Sequence, residues 1–189
     1  MLADLPPDHD LSHLRAALPW VRNWTRAVDG GAHRGIWSRE LAKHFRHVDA
    51  FEPCPENNAH LIALAETTNI RAWPCGLSDK RDTVRLLAGT ENTGQWHISG
   101  DGEVEVELMP LDEANLDQVG LLKLDVEGYE LLALKGAERT ICTWRPVVII
   151  EVNGLHQRYG VRDGEAEMWL MNRGYKLVEH IGRDLVWAC

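Results

Sequence analysis

Apolar residues Leu11, Leu14, Leu18 and Val21 recur at helical spacing and predict an amphipathic lead-in helix over residues 8–23. Beyond it, short apolar runs alternate with longer amphipathic ones. The short runs near 26–29, 48–52, 70–73, 120–125 and 147–152 predict strands. The longer segments near 36–46, 55–67 and 129–142 predict helices. Val147, Val148, Ile149 and Ile150 form a continuous β-branched run, the pattern of a strand covered on both faces. A helix is expected from Asp163 or Gly164 through Arg173, with Gly174 as its stop. Residues 176–179 and 184–187 then predict a closing antiparallel strand pair. Strand and helix in alternation give an α/β fold with a parallel sheet and right-handed crossovers. Ligands of such sheets bind beyond the carboxyl ends of the strands. Asp29, Glu52, Asp125 and Glu151 all fall at or next to such ends, which places them around one site.

Residues 83–109 break this rhythm. Positions 83–87 and 104–108 alternate in the strand manner, and the stretch between them is rich in Gly, Asn and Thr. An inserted hairpin or lid is expected there. Long loops of compact domains often carry function, which makes Trp96 and His97 candidates for substrate contact. A plain hairpin with a half-buried Trp is the competing reading.

Candidate chemistry begins at Asp29-Gly30-Gly31-Ala32-His33-Arg34-Gly35, a glycine turn between a strand and a helix. Such a turn lets backbone approach a nucleotide cofactor. In the dinucleotide pattern G-x-G-x-x-G, Ala32 occupies the middle glycine, so the fit to NAD is imperfect. The other frame, Asp29-x-Gly31-x-x-x-Gly35, is similar to the loop with which Rossmann-like methyltransferases hold S-adenosylmethionine. An acid such as Asp29 suits the cationic end of that molecule. Glu52 closes the second strand roughly twenty residues later, where an acid accepts hydrogen bonds from ribose hydroxyls of either cofactor. Pro53 and Pro55 follow it and set up the next helix.

A third block is more specific. It reads Lys123-x-Asp125-x-Glu127-Gly128-x-Glu130, then Leu134-Lys135-Gly136-Ala137, then Arg145-Pro146 and Glu151. Together with 29–35 and Phe51-Glu52-Pro53, it resembles the FkbM-type methyltransferase family. Gly76, Leu77 and Ser78 lie in a segment similar to the one after that family's third strand. His33 stands where the family usually places Asn, and both residue types tolerate unusual backbone angles. The resemblance implies a single class I, Rossmann-like domain over residues 1–189. Its sheet would be mostly parallel and seven-stranded, with helices on both faces and a final antiparallel strand pair. It also implies methyl transfer from S-adenosylmethionine, mostly to oxygen of sugars or natural products. The cofactor-binding residues it implies are Asp29, Gly30, Gly31, His33, Gly35, Glu52, Pro53, Gly76, Leu77, Ser78 and Asp125.

Methyl transfer needs in-line positioning, and a hydroxyl acceptor must also lose a proton to a base or a metal-bound group. The candidates are Asp125, Glu127, Glu151 and His156. Each has a plainer alternative: an Asp125–Lys123 ion pair, Glu127 as a helix-terminus charge, Glu151 as an anchor of the fold, His156 as a surface histidine. Nothing in the spacing of the three acids requires a cation, and no metal ligand is assigned.

Composition narrows the partners. A net charge of −9 without a Lys/Arg block disfavours nucleic acid, and the resemblance implies a small-molecule or glycan acceptor. Cys54, Cys75, Cys142 and Cys189 are scattered, as expected of reduced cysteines in the cytoplasm. No apolar run has the length of a membrane span, and the first residues lack a secretory pattern. Eight tryptophans against two phenylalanines fit core or rim packing, or an aromatic platform for a sugar ring. An NAD-binding oxidoreductase and a non-catalytic binding module that kept the fold stand as the alternatives to a methyltransferase. Oligomeric state and acceptor identity have no signature in the sequence.

Overall fold

A computed structural model describes residues 11–88 and 96–189 of the chain. Residues 8–10 of the expected lead-in helix and residues 89–95 of the expected insert lie outside these. Seven strands form the main sheet: β1 (Arg26–Gly30), β2 (His47–Phe51), β3 (Ile70–Trp73), β8 (Val119–Leu124), β9 (Val147–Glu151), β10 (Lys176–Ile181) and β11 (Asp184–Ala188). Their order is β10-β11-β9-β8-β1-β2-β3. Five of them run parallel, and β11 lies antiparallel between β9 and β10. This is the α/β, mostly parallel seven-stranded sheet with a closing antiparallel pair that the sequence predicts.

Strand alternation sends neighbouring side chains to opposite faces. Leu121 and Ile149 pack with Leu14, Trp37, Leu41 and Leu61 under helices α1 (Ser12–Ala17), α2 (Ile36–Leu41) and α3 (Pro55–Ala65). Leu122, Leu124, Val148 and Ile150 pack with Leu134, Ile141 and Leu170 under α4 (Glu130–Gly136), α5 (Glu138–Trp144) and α6 (Glu165–Met171). Val147, Val148, Ile149 and Ile150 of β9 and Leu121 and Leu122 of β8 are all buried, so the continuous apolar runs are explained by two covered faces.

Three helices differ from expectation. Among the described residues the lead-in helix expected over 8–23 is α1 over Ser12–Ala17, followed by a 3-10 turn over Leu18–Trp20 where Pro19 stands. The helix expected over 36–46 stops at Leu41, because Asn69 Nδ2 donates to the carbonyls of Ala42, Phe45 and Arg46 at 3.2, 2.6 and 3.2 Å. A side chain from beyond α3 thus satisfies acceptors that another helical turn would have used. The helix expected over 129–142 is two helices that part at Ala137 (φ −107°). Gly136 lies against the Ser78 carbonyl, where a Cβ would sit 1.9 Å from the oxygen.

Asp112 stabilises the second of these helices from outside it. Its carboxylate accepts the Arg139 and Thr140 N–H groups at 2.7 and 2.9 Å, and the Thr140 hydroxyl at 2.6 Å. This does the work of an N-cap side chain, since Ala137 provides none. Asp112→Ala is expected to lower stability by about 1–2 kcal/mol in urea unfolding, and Asp112→Asn by less.

Residues 76–109 build a second sheet in the order β4-β7-β5-β6, from β4 (Gly76–Leu77), β5 (Asp82–Ala88), β6 (Trp96–Ile98) and β7 (Val104–Met109). The two alternating runs at 83–87 and 104–108 pair with each other, as a hairpin requires. β4 and β6 have no counterpart among the predicted strands: each is two or three residues, too short for a periodic pattern. Among the described residues, no helix is long and apolar enough to cross a membrane.

Candidate active site

The turn after β1 is shaped by what surrounds it. Gly31 and Ala32 both donate their N–H groups to the Phe51 carbonyl at 3.0 Å. Gly31 has φ +75°, and a Cβ there would lie 1.8 Å from the Asp125 carbonyl oxygen. The glycine is therefore demanded by the close approach of backbone from β8, in addition to any ligand. Gly35, at φ +83°, precedes α2, and a Cβ on it would press into Leu61 and Leu64. His33 takes the left-handed conformation (φ 50°) without being glycine.

Glu52 fastens this loop. Its Oε2 accepts the His33 N–H at 2.8 Å and its Oε1 accepts the Cys54 N–H at 2.9 Å. Only 6% of the residue is exposed. Burial lifts its pKa, while the two N–H groups and the Asn57 side chain pull it down without cancelling that effect. Each carboxylate oxygen keeps a lone-pair direction beyond these bonds. Beside it, Asn57 Oδ1 is buried and has no hydrogen-bond partner among the described residues.

Glu52 and Asn57 line a cavity of about 280 Å3 at the carboxyl ends of β1, β2 and β8. Gly31, His33, Pro53, Gly76 and Leu77 also line it, as do Trp96, His97, Asp125 and Glu127. The structure thus gathers ten of the residues singled out by sequence around one space. β5, β6 and β7 supply an apolar wall through Leu86, Ile98 and Leu108.

Other expected residues lie elsewhere. Asp29 is fully buried beneath the loop, where its Oδ2 accepts the Ser38 hydroxyl at 2.6 Å and its Oδ1 lies 3.3 Å from Lys123 Nζ. Gly30 and Gly35 shape the turn from behind. Ser78 is buried, with its N–H given to the Met109 carbonyl at 3.1 Å. None of these four lines the cavity. His156 faces Asp163, Nε2 to Oδ1 2.8 Å, and lines a separate space of about 20 Å3 together with Glu151.

The segment after β8 places the acids. Asp125 donates its N–H to the Gly30 carbonyl at 3.0 Å, which extends the β1–β8 pairing by one residue. Glu130 Oε1 accepts the N–H groups of Val126 and Gly128 at 3.1 and 3.2 Å. Burial lifts the Glu130 carboxyl to about 7 even so. Between these two bonds stands Glu127, held at φ 52° with its side chain to the cavity. A non-glycine residue in that region is strained, and such strain concentrates at functional sites. Burial and the Asp125 charge raise the Glu127 pKa, against Arg158 and Arg183. Asn153 Nδ2 reaches Glu127 at 3.4 Å and Glu151 at 2.7 Å. Burial, then the Asp125 carboxylate, pushes the Glu151 pKa up to about 8.

Lys123 is 2% exposed yet also lines the cavity. Burial works against its charge, but Asp29 and Asp125 outweigh it, so its pKa lies above the ordinary lysine value. Trp37, Asn57 and Tyr129 join the lining without having been singled out. Tyr129 adjoins the Asp125–Glu127 block, which could have drawn attention to it. Asn57 and Trp37 sit on helices whose periodicity marks them only as helical. Tyr159 stacks edge-on against Tyr129, with ring centroids 4.4 Å apart, and its hydroxyl donates to the Ile98 carbonyl at 3.3 Å. That bond ties the turn after β9 to the wall of the cavity.

A buried carboxylate with spare lone pairs, an unpartnered amide oxygen and an apolar wall suit the hydroxyls, polar edges and face of a nucleoside. The sequence profile of the methyltransferase FkbM domain matches residues 29–177. The chain belongs to the FkbM methyltransferase domain family. That family uses S-adenosylmethionine, which makes it the cofactor and decides against the NAD reading of the glycine loop. Methyltransferase sdnD of Sordaria araneosa is 26% identical over 171 residues, spanning 63% of this chain and 66% of that protein. The crystal structure of the FkbM methyltransferase from Methylobacillus flagellatus superimposes with a TM-score of 0.63 at 23% identity, over 87% of this chain and 43% of that one. Precorrin-8W decarboxylase from Methanobacterium thermoautotrophicum shares the fold at a TM-score of 0.56 and 14% identity, over 98% and 93% of the two chains. The chain therefore spans 66% of the first of these methyltransferases and 43% of the second.

Proposed function

We propose that this FkbM domain is an O-methyltransferase that acts on a hydroxyl of a sugar or other small molecule. The observation that carries the reading is the placement of Asp125 and the strained Glu127 in a cavity that Trp96 and His97 also line. S-adenosylmethionine supplies a methyl group on a sulfonium, already activated for in-line displacement. Glu52 would hold the ribose hydroxyls with its free lone pairs, and Asn57 Oδ1 would accept from a nearby donor. Gly31, His33, Pro53, Gly76 and Leu77 would form the remaining contacts with the nucleoside. Asp29, Gly30, Gly35 and Ser78 would act by shaping the loop and its support.

Glu127 would accept the hydroxyl proton at a carboxylate oxygen. Asp125 would stand beside it, its N–H given to the Gly30 carbonyl and its carboxylate facing Lys123. Glu151 would brace Asn153, whose amide donates to it, and His156 would serve the turn after β9. Trp96 offers an aromatic face and His97 a ring whose proton affinity is lowered by burial and Arg158. The free state of all four cysteines supports a cytoplasmic setting, and the charge of −9 supports a small acceptor over nucleic acid.

The test is transfer of labelled methyl from S-adenosylmethionine to a panel of sugars and hydroxylated small molecules, with the methylated atom read by NMR. Methyl on oxygen supports the reading, methyl on nitrogen or carbon overturns it, and cofactor binding without transfer to any acceptor favours the non-catalytic module. Glu127→Gln is expected to lower kcat by about 10²- to 10⁴-fold, the usual contribution of a positioned base, with S-adenosylhomocysteine affinity unchanged. A base works deprotonated, and burial raises this one, so kcat should rise with pH through a limb above the ordinary carboxylate range. The limb should vanish in the glutamine variant.

A further inference from the structure

The chain after β8 carries Glu127 on a turn of unusual backbone. Tyr129 donates its N–H to the Val126 carbonyl at 3.2 Å, which closes a four-residue turn with Glu127 and Gly128 at its centre. Both central residues have positive φ, 52° and 101°, as a type I′ turn requires. Glycine meets that requirement freely, and asparagine or aspartate meets it with help from a short polar side chain. Glutamate has neither advantage, so residue 127 is the strained position of the turn. Such a conformation persists only where its surroundings hold it. One hold is packing: a Cβ on Gly128 would lie 2.7 Å from the Leu155 carbonyl carbon and 2.8 Å from the His156 nitrogen.

The other hold is Glu130. Its Oε1 alone accepts the N–H groups of Val126 and Gly128, one on each side of Glu127, at 3.1 and 3.2 Å. The residue is 4% exposed. It lines the space of about 20 Å3 shared with Glu151 and His156, and not the large cavity, so it acts on that cavity only through the turn. Without this oxygen two N–H groups lose their acceptor, and the turn relaxes most simply by returning Glu127 to negative φ, which re-aims its side chain. We infer that Glu130 is a positioning residue, whose single oxygen clamps the turn on both sides of Glu127 and keeps that carboxylate aimed into the cavity. This rests on the reading of Glu127 as the base. The clamp asks for an oxygen and not for a charge. Burial lifts the Glu130 carboxyl to about 7, and a proton on Oε2 leaves Oε1 able to accept both bonds.

Four variants separate positioning from a plain structural role: Glu130→Gln, Glu130→Met, Glu127→Gln, and the double variant Glu127→Gln with Glu130→Met. Each is assayed for methyl transfer to the acceptor that the panel returns, and for S-adenosylhomocysteine binding by calorimetry. Glu130→Met keeps the length of the side chain and offers no oxygen. It should lower kcat by about 10- to 100-fold, the effect of a small misplacement, and leave S-adenosylhomocysteine affinity within about threefold of native. Glu130→Gln returns an oxygen and should bring kcat back to within about threefold of native. In the Glu127→Gln background, Glu130→Met should change kcat by less than about threefold, because no base remains to be misplaced. An equal loss with and without Glu127 overturns the inference, as does native kcat in Glu130→Met. So does a kcat in Glu130→Gln as low as in Glu127→Gln, a comparison that stands even where Glu130→Met does not fold. Native kcat in Glu127→Gln, or a native chain that methylates nothing in the panel, sinks the base reading itself and the role of Glu130 with it.

Discussion

Glu52→Gln is expected to weaken S-adenosylhomocysteine binding by about 100-fold, or about 3 kcal/mol, and to abolish the rise in melting temperature that this ligand gives the native chain. The carboxylate accepts from His33 on one oxygen and from Cys54 on the other. An amide has one oxygen to offer and must point its NH2 group at the second N–H. Two donors then face each other in a nearly dry site, leaving at least one buried N–H unsatisfied at a cost of about 1–3 kcal/mol. The glutamine is also a poorer acceptor for ribose hydroxyls. One effect runs the other way: removing a buried charge relieves the desolvation that lifts the Glu52 pKa. The losses outweigh that relief, because they include one bond inside the protein and those made to the ligand. Calorimetric titration checks the binding, and a glutamine variant with native affinity would remove Glu52 from the site.

Gly31→Ala should cost about 3 kcal/mol or more, since overpacking against rigid backbone and a left-handed alanine each contribute. The new methyl group would lie 1.8 Å from the Asp125 carbonyl oxygen, an atom of β8's continuation that cannot swing aside. For a domain of this size the melting temperature should fall by about 10 °C. Gly154→Ala is the matched control. It has φ +80° and open space around it, so it pays only the conformational strain, about 1 kcal/mol. Thermal unfolding of the pair separates the two causes. Equal losses would mean that the approach of β8 to the glycine loop has no energetic weight.

What was legible in the sequence follows the physics of period and proximity. The seven main strands and the α3 and α6 helices could be read because apolar spacing records which face each element buries. The end of α2 could not, because it depends on Asn69 arriving from more than twenty residues further along the chain. The break at Ala137 depends on Gly136 meeting Ser78, a contact made only in three dimensions. The site shows the same division. Glu52, Gly31, Asp125 and Glu127 are marked by local motifs, and they do surround one cavity. Asp29 belongs to the same motif yet lies under the floor, because sequence records that an acid is needed and not on which side of the backbone its charge comes to rest. Asn57 was invisible, since one polar residue in the first turn of a helix carries no pattern.

The placement of β11 between β9 and β10 governs the order in which this chain is able to fold as it is synthesised. β10 has no partner other than β11, which follows it in the sequence. Until β11 emerges, β9 presents an open edge bearing Val147, Val148, Ile149 and Ile150, four residues of strong strand preference and no charge. Such an edge is a template for pairing with another chain. β11 is therefore the strand that shields β9, and any state in which it has come away from the sheet bares that apolar edge.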